Sequence, residues 1–186
     1  MNTIISLSHL DIEKAREVTA EFTNFLRMSF NFQNTSAIST FRKELSIVRS
    51  FLSIEKTRYG NRLKVIFDID QDIDFNLPPL MIQPLVENAI QHGIGRKRGG
   101  GWIKLIAKKE TDHQYVVKVE DNGAGMTPEK QKEILSPGFD RVGLRNINQR
   151  LKYFCGSELE IQSTPDVGTA VSMVIHNHES ADISVS

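Results

Sequence analysis

Apolar residues in the first third of the chain recur at steps of three and four residues, which is the spacing of one helix face. The first such stripe, over residues 10–32, contains Val18, Phe22, Phe25, Leu26 and Phe30. A polar stretch over residues 31–39 interrupts the spacing, which returns over residues 41–54. We therefore predict two amphipathic helices, the second ending at about Tyr59 because Gly60 follows.

The period of the pattern changes to two at Leu63. Over residues 63–69 apolar and polar side chains alternate, as they do on a half-buried strand. Helical spacing then resumes in LMIQPLVENAIQHG, where we predict a helix that begins near Pro84 and closes at Gly93. The first half of the chain therefore contains both helices and strands.

The second half of the chain is richer in strands. A hairpin is predicted over residues 102–121 with its turn at residues 110–114, and two final strands over residues 159–163 and 169–175. Between hairpin and strands lie an irregular stretch and a helix, GLRNINQRLKYF. This order predicts an α+β fold, a two-layer α/β sandwich with a mixed sheet and helices on one face, preceded by the two amphipathic helices.

Composition narrows the class of protein. The 186 residues are 39% hydrophobic and 25% charged, the balance of a globular domain. The 23 basic residues match 23 acidic ones, so no net charge attracts the chain to nucleic acid, and we expect no such partner. The single cysteine, Cys155, excludes an internal disulfide framework. Without an apolar run of ~20 residues or a signal sequence, we expect a cytoplasmic location.

The first candidate for chemistry is DNGAG at residues 121–125. Asp121 follows a predicted strand and can accept a hydrogen bond from an exocyclic amine such as that of adenine. Gly123 and Gly125 let the backbone approach a flat ligand closely. Asp-Asn-Gly is also a common turn, and for this segment on its own that alternative stays open.

The second candidate is ENAIQH at residues 87–92. On a helix its four polar residues fall on one side and converge on a point. They are Glu87, Asn88, Gln91 and His92. Oxygen ligands at such a point suit Mg²⁺, which also binds phosphate oxygens and water. A solvated polar helix face is the alternative interpretation.

Two further motifs lie near the C-terminus. RVGLRN opens a predicted helix with Gly143 and brings Arg145 to its first turn. Amides at a helix N-terminus bind phosphate, and a nearby arginine strengthens such a site. Gly168 and Thr169 precede the last strand and, taken alone, indicate only a turn.

In their joint order these motifs resemble the four boxes of the ATPase superfamily that includes gyrase, the Hsp90 chaperones, histidine kinases and MutL. QPLVENAIQHG is similar to the N box, and DNGAGM, RVGLRNINQRL and GTAVSMVI are similar to the three glycine boxes. Two further stretches, LSIVRSFLSIEKTRYGNRLKV and LPPLMIQPLVENAIQHGI, resemble sensor histidine kinases of the autolysin-sensor (LytS-like) class. The likeness runs from Met1 to Ile175 and implies a Bergerat-type sandwich that binds Mg-ATP under a flexible lid.

The resemblance also implies roles for individual residues. Asn88 would be the magnesium ligand and Asp121 the acid that reads adenine. The other expected cofactor-binding residues are Gly123, Gly125 and Thr169 at the base, and Gly143, Leu144 and Arg145 at the phosphates. The candidates for catalysis are Asn88 together with Glu87 and His92, whose role is either direct or supporting. Pro84 replaces an asparagine found in many other histidine kinases, as in the LytS-like class.

Two loops are candidates for phosphate contacts. Residues 126–142 would form the lid, with Arg141 near the phosphates. A plain surface loop is the alternative. GRKRGGG at residues 95–101 is basic, and we expect it to be an exposed loop beside the hairpin.

A histidine kinase also needs a histidine to phosphorylate. In the LytS-like class it lies in a motif like HFLFNALNTI, and this chain begins MNTI, so we expect the acceptor just upstream of Met1. His9 lies downstream of that position. We expect His113, His176 and His178 to be exposed and without a role.

The resemblance divides the chain into three parts. Residues 1–60 would be a remnant of the dimerisation and phosphoacceptor region with its linker helix, residues 61–176 the ATP-binding catalytic domain, and residues 177–186 a flexible tail. The expected function is ATP-dependent phosphorylation of the upstream histidine and then of a response-regulator aspartate, with ATP and Mg²⁺ as cofactors. The full-length parent would be a homodimer that reaches the membrane only through a missing N-terminal part.

Two other functions stay open. An ATPase or serine kinase of the anti-sigma factor type would need no upstream histidine helix, but the segment over residues 44–63 argues against it. A noncatalytic dimerisation module would have a decayed ATP site. The intact Asn88, Asp121, Gly123 and Gly125 argue against that reading.

Overall fold

The protein is described here by a computed structural model covering residues 11–35, 38–134 and 142–176. Two long helices come first, α1 over Ile12–Thr35 and α2 over Phe41–Tyr59. Helix α2 begins after Thr40, whose side chain accepts a hydrogen bond from a backbone N–H of the first turn. It ends at Gly60, whose φ of 58° favours glycine. Both predicted amphipathic helices are confirmed.

Helix α1 packs along α2. Ala15 and Val18 are buried in the contact, and the Ser53 hydroxyl of α2 donates a hydrogen bond to Glu21 at 2.9 Å. Phe22 is 40% exposed, whereas the Phe25 side chain lies outside the described part of the structure. Among the stripe residues with described side chains, Val18 is thus buried and Phe22 and Leu26 are exposed.

The strands form one large sheet and one small one. In chain order they are β1 Ser39–Thr40, β2 Leu63–Ile69, β3 Asn76–Leu77, β4 Gly101–Thr111, β5 Gln114–Asp121, β6 Glu160–Thr164 and β7 Gly168–His176. The large sheet has the order β2-β4-β5-β7-β6. Strands β2 and β4 are parallel, and the other neighbours are antiparallel. The predicted mixed sheet is confirmed, and the hairpin turn is shorter than predicted because β4 continues to Thr111.

The small sheet was not predicted. Strands β1 and β3 pair antiparallel over two residues each, too short a stretch to produce a period in the sequence. The pairing is extended by the backbone N–H of Phe41, which donates to the Phe75 carbonyl at 2.9 Å. It fixes the chain that leads into the N box against the start of α2.

The helix of the N box is irregular. Helix α3 spans Gln83–Asn88 and continues as a π-type turn over Ala89–Gly93 and a 3₁₀ turn over Ile94–Arg96. Gly93 therefore does not end the helical segment, contrary to prediction. Its lack of a side chain serves packing instead, because a Cβ there would lie 2.4 Å from the carboxylate of Asp121.

Two more helices complete the fold. Helix α4, Pro128–Ile134, lies in a stretch that we predicted to be irregular, and the Thr127 hydroxyl accepts a hydrogen bond from the Lys130 N–H at its start. Helix α5 spans Val142–Cys155, as predicted. Arg141 and the tail after residue 176 lie outside the described residues.

Helices cover one face of the large sheet and form the core with it. Phe41, Phe75 and Tyr115 stack at its centre, with ring centroids 5.0 and 4.5 Å apart. The opposite face carries ion pairs, and Lys104 and Lys108 each lie 2.7 Å from Asp68, whose pKa they lower to about 2. The two-layer sandwich is thus confirmed. The domain boundary at residue 60 stays a prediction.

Within residues 11–35, 38–134 and 142–176, no helix combines the length and the apolar character that a membrane span requires.

The aromatic stack gives a prediction about stability. Phe75→Ala removes the middle ring, which is 3% exposed, and should lower the free energy of unfolding by about 3–5 kcal/mol. Tyr153→Ala removes a ring that is 95% exposed and should change it by no more than about 0.5 kcal/mol. Urea unfolding followed by circular dichroism measures both. Equal losses in the two variants would contradict this account of the core.

Candidate functional site

A cavity of about 320 Å³ lies between α3, the start of α5 and the buried face of the large sheet. Its walls come from four parts of the fold. They are the α3 region with Leu85, Asn88, Ala89, His92 and Gly93; the sheet with Val119, Asp121, Thr169 and Val171; the α4 region with Gly125, Met126, Lys130 and Ile134; and α5 with Gly143 and Leu144. All four motifs singled out in the sequence meet here, although their lining residues run from Leu85 to Val171 along the chain.

Asp121 is the buried acid of the cavity. It is the last residue of β5, is 6% exposed, and accepts a hydrogen bond from the Gly123 N–H at 2.7 Å. Burial raises the pKa of this carboxyl to about 6, although backbone hydrogen bonds from Gly123 and Thr169 and the charge of Lys97 act in the opposite direction. A carboxylate in this setting can accept a hydrogen bond from an amine donor in the cavity.

The glycines after Asp121 allow an unusually close backbone approach. A Cβ on Gly123 would lie 2.1 Å from the carbonyl carbon of Gly93, so the turn and the α3 region touch directly. Gly125 has a φ of 63°, and a Cβ there would lie 1.9 Å from the Thr164 carbonyl oxygen. Gly125 lines the cavity, whereas Gly123 is not among the lining residues and packs against the Gly93 backbone.

The last strand completes this end of the cavity. Thr169 pairs with Asp121 in the register of β5 and β7 and lines the cavity. Its hydroxyl lies 2.8 Å from the hydroxyl of Ser163 on β6. Thr169 carries no signal of its own in the sequence beyond its place in the motif order.

The N box divides into two faces rather than converging on one point. Asn88 and His92 line the cavity, but Glu87 and Gln91 do not, and the Gln91 amide donates to the Glu87 carboxylate at 2.8 Å. Residues four apart share a stripe, and adjacent residues are separated by about 100° around a helix axis. The predicted convergence of all four side chains is therefore wrong, because they form two such stripes.

The start of α5 forms the wall beside Asn88. Gly143 and Leu144 line the cavity, and a Cβ on Gly143 would lie 3.7 Å from the Asn88 side-chain nitrogen. Arg145 is half-buried and is not among the lining residues. Of the three residues expected at the phosphate end, two are thus at the cavity wall.

Lys130 was missed by the sequence analysis. It lines the cavity from α4, between Met126 and Ile134, which also line it. The three residues are spaced four apart, which is the spacing of one helix face. That spacing was a usable signal, but the prolines and charges around it indicated a loop instead.

Within the described residues, no group of three or more histidine, cysteine, aspartate or glutamate side chains is arranged to hold a metal ion. Asn88, the predicted metal ligand, lines the cavity. A cation here would take most of its ligands from a bound molecule and water.

Neither of the two other histidines that the structure describes lines the cavity. His113 is exposed in the turn between β4 and β5, as expected, whereas His176 is half-buried at the end of β7 and not exposed as expected. His9 and His178 lie outside the described residues.

Comparison with known proteins decides the family. Residues 76–179, more than half of the chain, match the family model described as histidine kinase-, DNA gyrase B-, and HSP90-like ATPase. The chain belongs to this ATPase family. A second model, described as histidine kinase, matches residues 1–63. The resemblance inferred from the four motifs is therefore confirmed.

Curated relatives of this ATPase-family chain include sensor kinases. It is 38% identical over 185 residues to the sensor protein LytS of Staphylococcus saprophyticus and 33% identical over 180 residues to the sensor histidine kinase YpdA of Escherichia coli. These alignments cover 96% and 95% of this chain but 31% of each relative. It is also 75% identical over 177 residues to YwpD of Bacillus subtilis, covering 95% of this chain and 64% of that protein.

Solved structures agree on the fold. The histidine kinase domain of the blue-light activated kinase EL346 of Erythrobacter litoralis superposes with a TM-score of 0.60 at 18% identity, covering 95% of this chain and 86% of that one. The histidine kinase domain of the Escherichia coli osmosensor EnvZ gives a TM-score of 0.52 at 18% identity, covering 80% and 93%. The α/β sandwich of this family is the fold of the chain.

The raised pKa of Asp121 gives a prediction about pH. The folded state binds this proton more tightly than the unfolded chain, whose value is near 3.8, so ionisation of Asp121 reduces stability as pH rises from about 4 to about 6. Asp121→Asn cannot ionise and can still accept from Gly123. Relative to wild type it should be more stable at about pH 8 and lose that advantage at about pH 3. Urea unfolding at both pH values tests this, and a pH-independent difference between the proteins would contradict it.

Proposed function

We propose that this chain is the ATP-binding catalytic part of a two-component sensor histidine kinase. The observation that carries the proposal is that the buried acid Asp121 and the amide of Asn88 line the same cavity, in a chain of this ATPase family. The cavity is of a size that accommodates a small ligand. Because the chain spans only part of its relatives, the activity of the whole protein is part of the proposal.

The base end of the nucleotide is proposed to lie at the sheet. There the Asp121 carboxylate would accept the exocyclic amine of adenine, and Thr169 would lie beside it. Gly125, whose missing Cβ admits the Thr164 carbonyl, would line this end, with Gly123 supporting the wall. Val119 and Val171 supply apolar surface next to the acid, which suits one face of a base.

The phosphate end is proposed to lie between α3 and α5. Asn88 would bind Mg²⁺ through its amide oxygen, with phosphate oxygens and water as the other ligands. The backbone at Gly143 and Leu144 would bind phosphate, with Arg145 nearby in the same turn. When bound, the magnesium ion neutralises charge on the transferred phosphoryl group.

Two N-box residues have proposed catalytic roles. His92 lines the cavity and is proposed to contact phosphate or bound water directly. Glu87, which holds Gln91 outside the cavity, is proposed to act as a support for α3.

The reaction of the whole protein is proposed from its sensor-kinase relatives. The γ-phosphoryl of ATP would pass to a histidine upstream of this sequence and then to an aspartate of a response regulator. We propose that residues 1–60 belong to the dimerisation region and residues 61–176 to the catalytic domain. The parent protein would be a homodimer, and a membrane segment would lie in its N-terminal part.

Nucleotide titration tests the proposal directly. A nonhydrolysable ATP analogue, added with and without Mg²⁺ and followed by calorimetry, should bind saturably. Asp121→Asn replaces one carboxylate oxygen with an amide donor facing the adenine amine, and should weaken binding by at least about tenfold, as expected when a polar ligand group loses its buried partner. Asp112→Asn, an exposed aspartate in the hairpin turn, is the matched control and should bind like wild type. Absence of binding to wild type at millimolar nucleotide would refute the proposed function.

Lys130 gives a second test because it lines the cavity from α4. If its ammonium contacts phosphate, Lys130→Ala should weaken binding of ATP by about five- to tenfold and leave binding of adenosine unchanged. Lys132→Ala removes an exposed lysine of the same helix and serves as the control. Equal loss of ATP and adenosine affinity in Lys130→Ala would assign Lys130 to the shape of the cavity and not to phosphate binding.

A further inference from the structure

Glu44 is a fully buried acid outside the cavity. It lies on α2, is 0% exposed, and its carboxylate accepts three backbone hydrogen bonds. The donors are the N–H groups of Leu80 at 2.5 Å, Met81 at 3.0 Å and Ile82 at 3.0 Å. These residues lead directly into α3, so one side chain of α2 binds the chain at the point where the N-box helix begins.

The segment held by Glu44 has an unfavourable backbone. Leu80 has a φ of 56°, in the left-handed region that a branched, non-glycine residue rarely adopts. Such a conformation persists only where the surroundings hold it in place. Here the Glu44 carboxylate binds the N–H of Leu80 itself and of the next two residues.

Arg150 connects the same place to α5. Its guanidinium donates a hydrogen bond to the Pro79 carbonyl at 2.5 Å, one residue before the segment that Glu44 binds. It is also close enough to Glu44 for its charge to lower the carboxyl's pKa, against the larger effect of burial, which raises it. Residues 79–82 are therefore held from two sides, by α2 and by α5.

Two helical segments, the α3 region and α5, connect residues 79–82 to the cavity. The α3 region leads from Ile82 to Asn88 and His92, and α5 begins with Gly143 and Leu144, which also line the cavity. We infer that Glu44 is a positioning residue for the nucleotide site, and that with Arg150 it couples α2 to both helical walls of the cavity. This inference rests on the proposed function, and it implies that a displacement of α2 changes nucleotide affinity.

The test compares two variants of α2 that lose stability by different means. Glu44→Gln removes the charge that accepts from three N–H groups and lies near Arg150, whereas Val48→Ala removes two methyl groups from a fully buried side chain on the same helix. The Glu44 carboxylate accepts from N–H groups at the start of α3, as a helix-capping side chain does. Loss of such an interaction changes an equilibrium constant by about five- to tenfold. Binding of the nonhydrolysable ATP analogue should therefore weaken by about five- to tenfold in Glu44→Gln and by less than about twofold in Val48→Ala.

Urea unfolding of both variants separates positioning from general destabilisation. A loss of affinity in Glu44→Gln that Val48→Ala does not show, at comparable loss of stability, supports the inference. Equal affinities in the two variants overturn it. Since wild type must bind nucleotide for the comparison to exist, failure of the wild type refutes the proposed function, and equal binding by wild type and Glu44→Gln refutes only the positioning role.

A double-mutant cycle with Glu44→Gln and Arg150→Met tests the part played by Arg150. Arg150→Met should weaken nucleotide binding by itself, because Pro79 loses its donor. If the two residues act as one unit, the double variant should bind no more than about twofold more weakly than the weaker single variant. Losses that multiply would overturn the coupling between α2 and α5.

Discussion

The fold depends most on the place where the end of β5 meets the α3 region around a buried carboxylate. Gly93 and Gly123 bring the two backbones into direct contact, and a side chain at either position would collide with the other backbone or with Asp121. This approach closes the cavity between sheet and helices. It also buries Asp121, and the burial raises the pKa of its carboxyl. A single packing constraint thus sets both the shape of the site and the chemistry of its acid.

The same constraint explains why the helical segment after Asn88 departs from regular geometry. The π-type turn over Ala89–Gly93 carries Gly93 to the turn after Asp121, and the following 3₁₀ turn leads to Lys97. The Lys97 amine then donates to the Asn122 carbonyl at 2.7 Å. Wide turns of this type occur often at functional sites in helices. Here the turn lets Asn88 and His92 face the cavity while the backbone behind them meets the sheet.

Long periodic elements were predictable from the sequence. Helix α2 and strand β2 have the predicted bounds, since each carries a repeated spacing and α2 ends at a glycine. The cavity residues Asn88, Asp121, Gly125, Gly143, Leu144 and Thr169 were also predicted, from the order of four motifs. Single motifs left these residues ambiguous, because each is also a common turn or a polar helix face.

Features that depend on tertiary contacts were not predictable in the same way. The pairing of β1 with β3 involves two residues on each strand. The role of Glu44 depends on residues 36 to 38 positions later in the chain, and no local pattern marks a polar residue on the apolar side of a helix as a ligand of backbone N–H groups. The separation of Glu87 from Asn88 follows from the way α3 packs. Sequence spacing places these side chains on a helix but does not determine which stripe faces the cavity.

We propose that one cavity binds ATP with its base at the sheet and its phosphates between α3 and α5. This binding mode can be tested by a crystal structure of the chain with a nonhydrolysable ATP analogue and Mg²⁺. We expect the adenine amine within ~3 Å of the Asp121 carboxylate, and the phosphates with the metal ion beside Asn88 and Gly143. A nucleotide bound elsewhere, or in this cavity with its base away from Asp121, would refute this binding mode.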